Sequence, residues 1–223
     1  MTAARLHVTK LAAAQRQLRA AIRIFFDGED ELAVHTVASA AYKIIADLKA
    51  ERGRDEVADF HLTTIFYIVR DYRRGTLPPR FTNDPEAMKW IKDMAEKLPI
   101  TADMKAEEVK VTVSPETARK WWMKRNKAAN FLKHADRDPR AHISLDDIDN
   151  LELLTQALAS YTDLVKDDLG NEGFVLWVYF SVVHETHDDL PKEYREMALR
   201  LSQLAPKERL AFCSHVLREL RDK

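Results

Sequence analysis

The chain has 223 residues, 46% of them hydrophobic, and its 35 lysines and arginines nearly balance its 36 aspartates and glutamates, which gives a formal net charge of −1. This length allows a large core that needs no disulfides to hold it. The near-neutral charge excludes a global field that would attract nucleic acid or an anionic surface, so any such role must depend on a local patch.

The cysteine content and the motifs narrow the class of protein further. A single cysteine, Cys213, excludes an intramolecular disulfide and indicates a reducing compartment, so we expect a cytoplasmic protein. The longest uncharged run near the end, 173–183, is too short to cross a bilayer, and we expect no membrane association. Nothing matches a Walker loop, a dinucleotide fingerprint or a paired-cysteine zinc site, so we expect no cofactor and no metal ion.

Two helices are predicted at the start of the chain from apolar residues at three- and four-residue spacing. The first extends from about residue 7 to 27 and ends at Gly28. Asp30 can cap the second, which Gly53 ends. Because the connecting turn is tight, we expect the two helices to be antiparallel.

The next part of the chain predicts two more helices and one short strand. A third helix covers 57–73, and Pro78 and Pro79 then make 75–83 the best candidate for a linker. Asp84 caps a helix that continues through about Leu98. Apolar and polar residues alternate with period two over 109–113, which favours a short strand.

The second half of the chain is predicted to be helical. A helix begins at Ser114 and Pro115 and ends near Asp136, and a further helix covers about 148–161. The uniformly apolar segment 174–183 fits a buried helix or a central strand, and its length favours the helix. Pro191 and Pro206 each open another. We therefore predict an all-α fold, a bundle of eight to ten helices in a single domain over 1–223, with a sub-domain break possible near 75–83.

The helix that begins at Ser114 is rich in cations and has no acidic residue between 118 and 134. Such a strip could neutralise several phosphates of a nucleic acid. The alternative is a solvated helix face whose charges are balanced by acids elsewhere. The residues that would bind nucleic acid are Lys120, Lys124, Arg125 and Lys127.

The segment 130–139, Asn-Phe-Leu-Lys-His-Ala-Asp-Arg-Asp-Pro, resembles a signature of a small group of bacterial helical proteins. The first helices of that group are also similar to 20–26 and 35–42 of this chain. The resemblance covers roughly the first two thirds of the chain. It implies relatives with an all-α fold, and it implies no activity.

A ligand site is predicted where the second helix and the end of the cationic helix would meet. A histidine beside acids at a helix end can act as an acid or base or can bind an ion, although capping of the helix is the alternative. His35 and Tyr42 would form the opposite wall of the pocket. The predicted site residues are His35, Tyr42, Asn130, Lys133, His134, Asp136 and Asp138.

Two further histidine patterns are weaker. His184 and His187 are one residue short of the spacing in the metalloprotease motif His-Glu-x-x-His. An arginine followed by four to six residues and a histidine is the pattern of the small helical ribonucleases called HEPN. Segments 54–61 and 137–142 both fit that spacing, so the chain has a faint resemblance to this family.

Two functions follow from these patterns. The first is a non-enzymatic helical module that binds a protein partner or a small ligand near His35, Asn130 and His134, with a homo-oligomer also possible. The second is an RNA-binding protein or a HEPN-like ribonuclease that holds phosphates with the cationic helix and uses a histidine as acid or base.

Overall fold

A computed structural model describes residues 7–109, 112–134, 136–186 and 190–221. It confirms the all-α prediction: over these residues it has eleven α-helices and no strand. The helices are α1 (Lys10–Phe26), α2 (Glu31–Glu51), α3 (Glu56–Arg74), α4 (Pro79–Thr82), α5 (Pro85–Lys97), α6 (Pro115–Arg125), α7 (Lys127–Lys133), α8 (Asn150–Val165), α9 (Asn171–Val183), α10 (Lys192–Ser202) and α11 (Pro206–Arg221). No helix in the described ranges is long and apolar enough to span a membrane.

The strand expected over 109–113 is not found in the residues that the structure covers there. Ala106–Glu108 form a turn of 3-10 helix, and Val109, Thr112 and Val113 lie in irregular backbone. Lys110 and Val111 lie outside the described residues. Alternation alone does not make a strand, because a strand needs a neighbour with which to share its backbone hydrogen bonds.

The helix count exceeds the expected eight to ten for two local reasons. The segment after the double proline holds α4, a helix of four residues. The cationic helix, predicted to be continuous to about Asp136, is interrupted at Asn126, and its second part, α7, ends at Lys133. The predicted helix is therefore two shorter ones.

The chain forms two compact units. Unit 1 comprises Met1–Arg52 and Met123–Lys223, and unit 2 is the intervening Gly53–Trp122. The boundary at 122–123 falls within α6, and the segment 75–83 lies inside unit 2, where it contains α4.

Unit 1 is built on the α1–α2 hairpin. Thr9 caps α1 by accepting a hydrogen bond from the amide of Ala12, and Asp30 caps α2 in the same way. Gly28 has a φ of +70° between them, a conformation that glycine adopts without steric cost. α2 packs against α7 and α8, and α9 packs against α1, α8, α10 and α11.

The contact between α1 and α9 combines charge and aromatic packing. Glu172, in the first turn of α9, is buried and forms an ion pair of 2.5 Å with Arg23. Further along, Phe26 packs edge to face against Tyr179 with ring centres 5.2 Å apart. Because both contacts join side chains that are distant in sequence, they fix the register of α1 against α9.

Unit 2 has its own small core between α3 and α5. Phe66 and Val69 from α3 are fully buried with Ala95 from α5 and Ile100 from the loop that follows. Asp55 caps α3, and Gly75 ends it in the left-handed conformation.

Candidate functional site around His35

His35 is the centre of a buried polar cluster in unit 1. It is the fifth residue of α2 and only 6% exposed, and its Nδ1 lies 3.2 Å from Oδ1 of Asn150. Asn150 is the first residue of α8 and is equally buried. Its Nδ2 donates a hydrogen bond of 2.9 Å to the backbone carbonyl of Glu31. The cluster therefore joins the first turns of α2 and α8.

These contacts determine which nitrogen of neutral His35 carries the proton. The carbonyl of Glu31 can only accept, so the amide nitrogen of Asn150 must face it, and Oδ1 of Asn150 must face His35. Since Oδ1 also only accepts, Nδ1 of His35 is the protonated nitrogen. Nε2 then presents a lone pair. That atom is buried and has no hydrogen-bond partner among the residues that the structure describes.

The surroundings of His35 favour its neutral form. Burial lowers the pKa of the imidazole below its ordinary value of about 6.5, and the positive charges of Arg125 and Lys133 lower it further. The hydrogen bond that His35 donates to Asn150 acts in the opposite direction without reversing the shift. His35 is therefore an uncharged acceptor at neutral pH.

Arg125 and Tyr42 lie beside this cluster. Tyr42 is on α2 and 3% exposed, and the guanidinium carbon of Arg125 lies 5.0 Å from the centre of its ring. This geometry is a cation–π contact, in which the ring face attracts the cation. Arg125, predicted to be part of a phosphate-binding strip, is instead partly buried against an aromatic ring.

The other predicted site residues lie at the outer side and the end of α7. Asn130 and Lys133 are exposed, and the backbone amide of His134 donates to the carbonyl of Asn130 at the end of the helix. Nδ1 of His134 lies 3.8 Å from Oδ1 of Asp136, which is too long for a hydrogen bond. Within the described ranges, no hydrogen bond joins His134 to His35.

The structure thus separates the predicted site into two groups. Tyr42 lies against Arg125, and the charges of Arg125 and Lys133 act on His35. Asp136 and Asp138 are exposed in the turn after α7. The geometry around His134 fits the capping alternative.

Asn150 was not among the predicted site residues. Its importance comes from burial and from the approach of α2 to α8, and neither has a signature in the sequence around position 150. The one local signal is Asp149, which caps α8 and so marks Asn150 as the first residue of a helix.

The cations of the predicted nucleic-acid strip are partly neutralised. Lys120 pairs with Glu116 at 2.6 Å, and Lys127 pairs with Asp147 at 3.0 Å. Lys124 is exposed and has no acidic partner in the ranges the structure describes. The break at Asn126 also interrupts the helix face on which the strip was placed.

The remaining histidine patterns lie in separate parts of the chain. Arg54 pairs with Asp59 at 3.0 Å and precedes α3, on which His61 is partly buried. The segment 137–142 lies in turns, and His187 is outside the described residues. The covered residues contain no group of three or more histidine, cysteine, aspartate or glutamate side chains that could hold a metal ion.

An open depression of about 470 Å³ lies between the end of α1 and the start of α2. Apolar and charged residues line it together, and two of the charged ones already have partners. Arg23 pairs with Glu172, and Asp27 accepts hydrogen bonds from Ser214 and Arg218. The bond from Ser214 and the cation of Arg218 hold the pKa of Asp27 below its ordinary value. We assign no ligand to this depression.

Comparison with known proteins gives no match: no family model fits the chain, and no curated protein or solved structure is significantly similar to it.

Proposed function

We propose that this chain is a helical binding module that takes a protein partner or a small ligand over His35, at the surface formed by α2, α7 and the first turn of α8. The observation that carries the proposal is the lone pair of His35 Nε2, which is buried and meets no donor in the described part of the chain. A buried acceptor without a partner costs about 1–3 kcal/mol, which a donor group of a ligand would recover.

The chemistry of the cluster defines the kind of ligand. Nε2 requires a hydroxyl or an amide N–H, because it can only accept while Nδ1 is committed to Asn150. The cations of Arg125 and Lys133 nearby favour a carboxylate or a phosphate on the same ligand. The expected ligand is therefore a hydroxylated or amide-bearing anion.

Access to Nε2 would depend on α7. This helix has seven residues, is separated from α6 at Asn126 and ends before His134. A helix of this length is marginal in isolation, so α7 is held in place by packing. The buried residues of α7 are two alanines, Ala128 and Ala129, and their small side chains bury little apolar area. α7 is thus the element best suited to move aside for a ligand.

The RNA-directed alternative has less support. Two of its four cations are paired with acids, and Arg125 is stacked on Tyr42. Of the four, only Lys124 is both exposed and without an acidic partner among the described residues, as phosphate binding needs. An RNA gel shift at low salt that weakens steeply as salt rises, and that Lys124→Ala reduces, would restore this alternative.

A thermal-shift assay with a panel of hydroxy acids and sugar phosphates tests the binding proposal. At a ligand concentration 100 times the Kd, binding adds about 2.7 kcal/mol, which raises the Tm by about 5–10 °C in a domain of this size. His35→Asn keeps a donor for Asn150 but removes Nε2, and we expect it to abolish most of the shift.

His215→Asn is the matched control, since His215 is exposed on α11 and pairs with Glu219 on the same helix. We expect it to keep the full shift. The proposal would be abandoned if His35→Asn and His215→Asn responded to the ligands as the native protein does, or if no compound in the panel shifted the native Tm.

A further inference from the structure

α9 is apolar on every side, although only part of its surface is covered. Residues 173–183 include no charged side chain. Its inner face is buried at Val175, Leu176 and Tyr179. A helix that is apolar all round is normally enclosed by protein. Here Trp177 remains 41% exposed and Val183 39% exposed.

The exposed side of α9 carries a row of aromatic rings in contact. Trp177 and Phe180 are stacked at an interplanar angle of 18° with centres 5.9 Å apart, and the rings of Phe180 and His184 lie 4.3 Å apart. At the other end, Phe174 contacts Tyr194 of α10 at 4.8 Å. We call Phe174, Trp177, Phe180 and Val183 the α9 ridge. Because its rings already hold one another in place, little side-chain entropy remains to be lost on binding.

We propose that the α9 ridge is the contact surface of a homodimer, with a second copy of this chain as its partner. In a two-fold dimer the same patch meets itself, so a charged residue close to the axis would face its own copy and repel it. The ridge has none: no lysine, arginine, aspartate or glutamate lies between Gly173 and Val183. It is therefore self-compatible, whereas a partner of strong charge would gain nothing from it.

The exposed area sets the strength of the dimer. A tryptophan side chain offers up to about 250 Å², so the exposed part of Trp177 supplies roughly 100 Å², and the whole ridge roughly 300 Å². If about 60% of the interface is apolar, each copy would bury roughly 500 Å² and the dimer roughly 1,000 Å² in total. That is the lower limit for a specific interface, so we expect a weak, concentration-dependent dimer.

We place the two α9 helices antiparallel, with the two-fold axis beside Trp177, so that the Trp177 side chains of the two copies lie against each other. Phe180, which is stacked on Trp177 within each copy, lies next to this pair. Trp177 and Phe180 then occupy the centre of the interface, where truncation has its largest effect, since aromatic anchors near the centre supply most of the binding energy.

Sedimentation equilibrium from about 1 to 200 µM tests the proposal. We expect the weight-average mass to rise from the 25.7 kDa of one chain toward twice that value. Trp177→Glu should raise the dissociation constant at least tenfold, because two carboxylates then meet near the axis. The control is Trp90→Glu in unit 2, since Trp90 is 43% exposed and so loses a comparable surface. It should leave the dissociation constant unchanged.

A charge-swap pair distinguishes a lost contact from a misfolded chain. Trp177→Glu and Trp177→Lys should each be monomeric alone and should associate when mixed, because opposite charges then meet across the axis. A native protein that stays monomeric at the highest concentration would overturn the proposal. So would a Trp177→Glu variant that associates as the native protein does, or a mixture that remains monomeric.

Discussion

Replacement of Asn150 by alanine removes the link between α2 and α8. The substitution deletes the acceptor for His35 Nδ1–H and the donor to the Glu31 carbonyl. A buried donor left without a partner costs about 1–3 kcal/mol, and the loss of the second hydrogen bond adds about 0.5–1.5 kcal/mol. We therefore expect Asn150→Ala to lower the free energy of unfolding of unit 1 by about 2–4 kcal/mol.

Urea denaturation followed by far-UV circular dichroism measures this loss, with the transitions of the two units fitted separately. Asn171→Ala is the control because Asn171 is also the first residue of a helix, but it is exposed and its one side-chain hydrogen bond is long, at 3.4 Å. It should cost less than about 1 kcal/mol. A loss below about 1 kcal/mol for Asn150→Ala, or equal losses for the two variants, would show that the cluster around His35 does not form.

Three further outcomes are expected. The pKa of His35 is lowered in the folded state, so the unfolded chain binds more protons below about pH 6.5. Unit 1 should therefore lose stability as the pH falls through that value. His35→Asn should reduce this loss when the urea midpoint is measured at a series of pH values. Burial raises the pKa of the Cys213 thiol to about 12, so a thiol reagent at pH 8 should label Cys213 only after urea is added. A Cβ at Gly173 would lie 2.9 Å from Cβ of Leu169 and 3.1 Å from Cδ1 of Leu158. Gly173→Ala should therefore lower the free energy of unfolding by about 1–3 kcal/mol. Unchanged stability would mean that α8 and α9 can move apart to make room for the methyl group.

The helices were predictable where a cap, a periodic apolar face and a glycine or proline agreed. Asp30 and Gly53 lie close to the two ends of α2, and Pro206 is the first residue of α11, as expected. The interruption at Asn126 has no such marker, because no glycine or proline occurs there. A helix of uniform propensity can be broken by the packing of its two parts, and packing is not visible in periodicity.

The candidate site was predictable only in part, for a related reason. His35 and Tyr42 stood out because their residue types are unusual beside an apolar stripe, and both are buried. The pairing of Lys120 and Lys127 with acids depends partly on Asp147, which is distant in sequence. Convergence of this kind follows from the fold, so a count of charges along one helix overestimated the surface that is open to phosphates.

Unit 2 is inserted within the sequence of unit 1, and this affects the order in which the helices that pack together in unit 1 are synthesised. α1 and α2 are synthesised before unit 2, and α8, which packs against α2, is synthesised only after all of unit 2. At synthesis rates of about 5–20 residues per second, the apolar face of the newly synthesised α1–α2 hairpin stays exposed for roughly 5–20 seconds before α8 is available to cover it. During that interval it is a target for chaperones, and a shorter unit 2 would shorten the exposure.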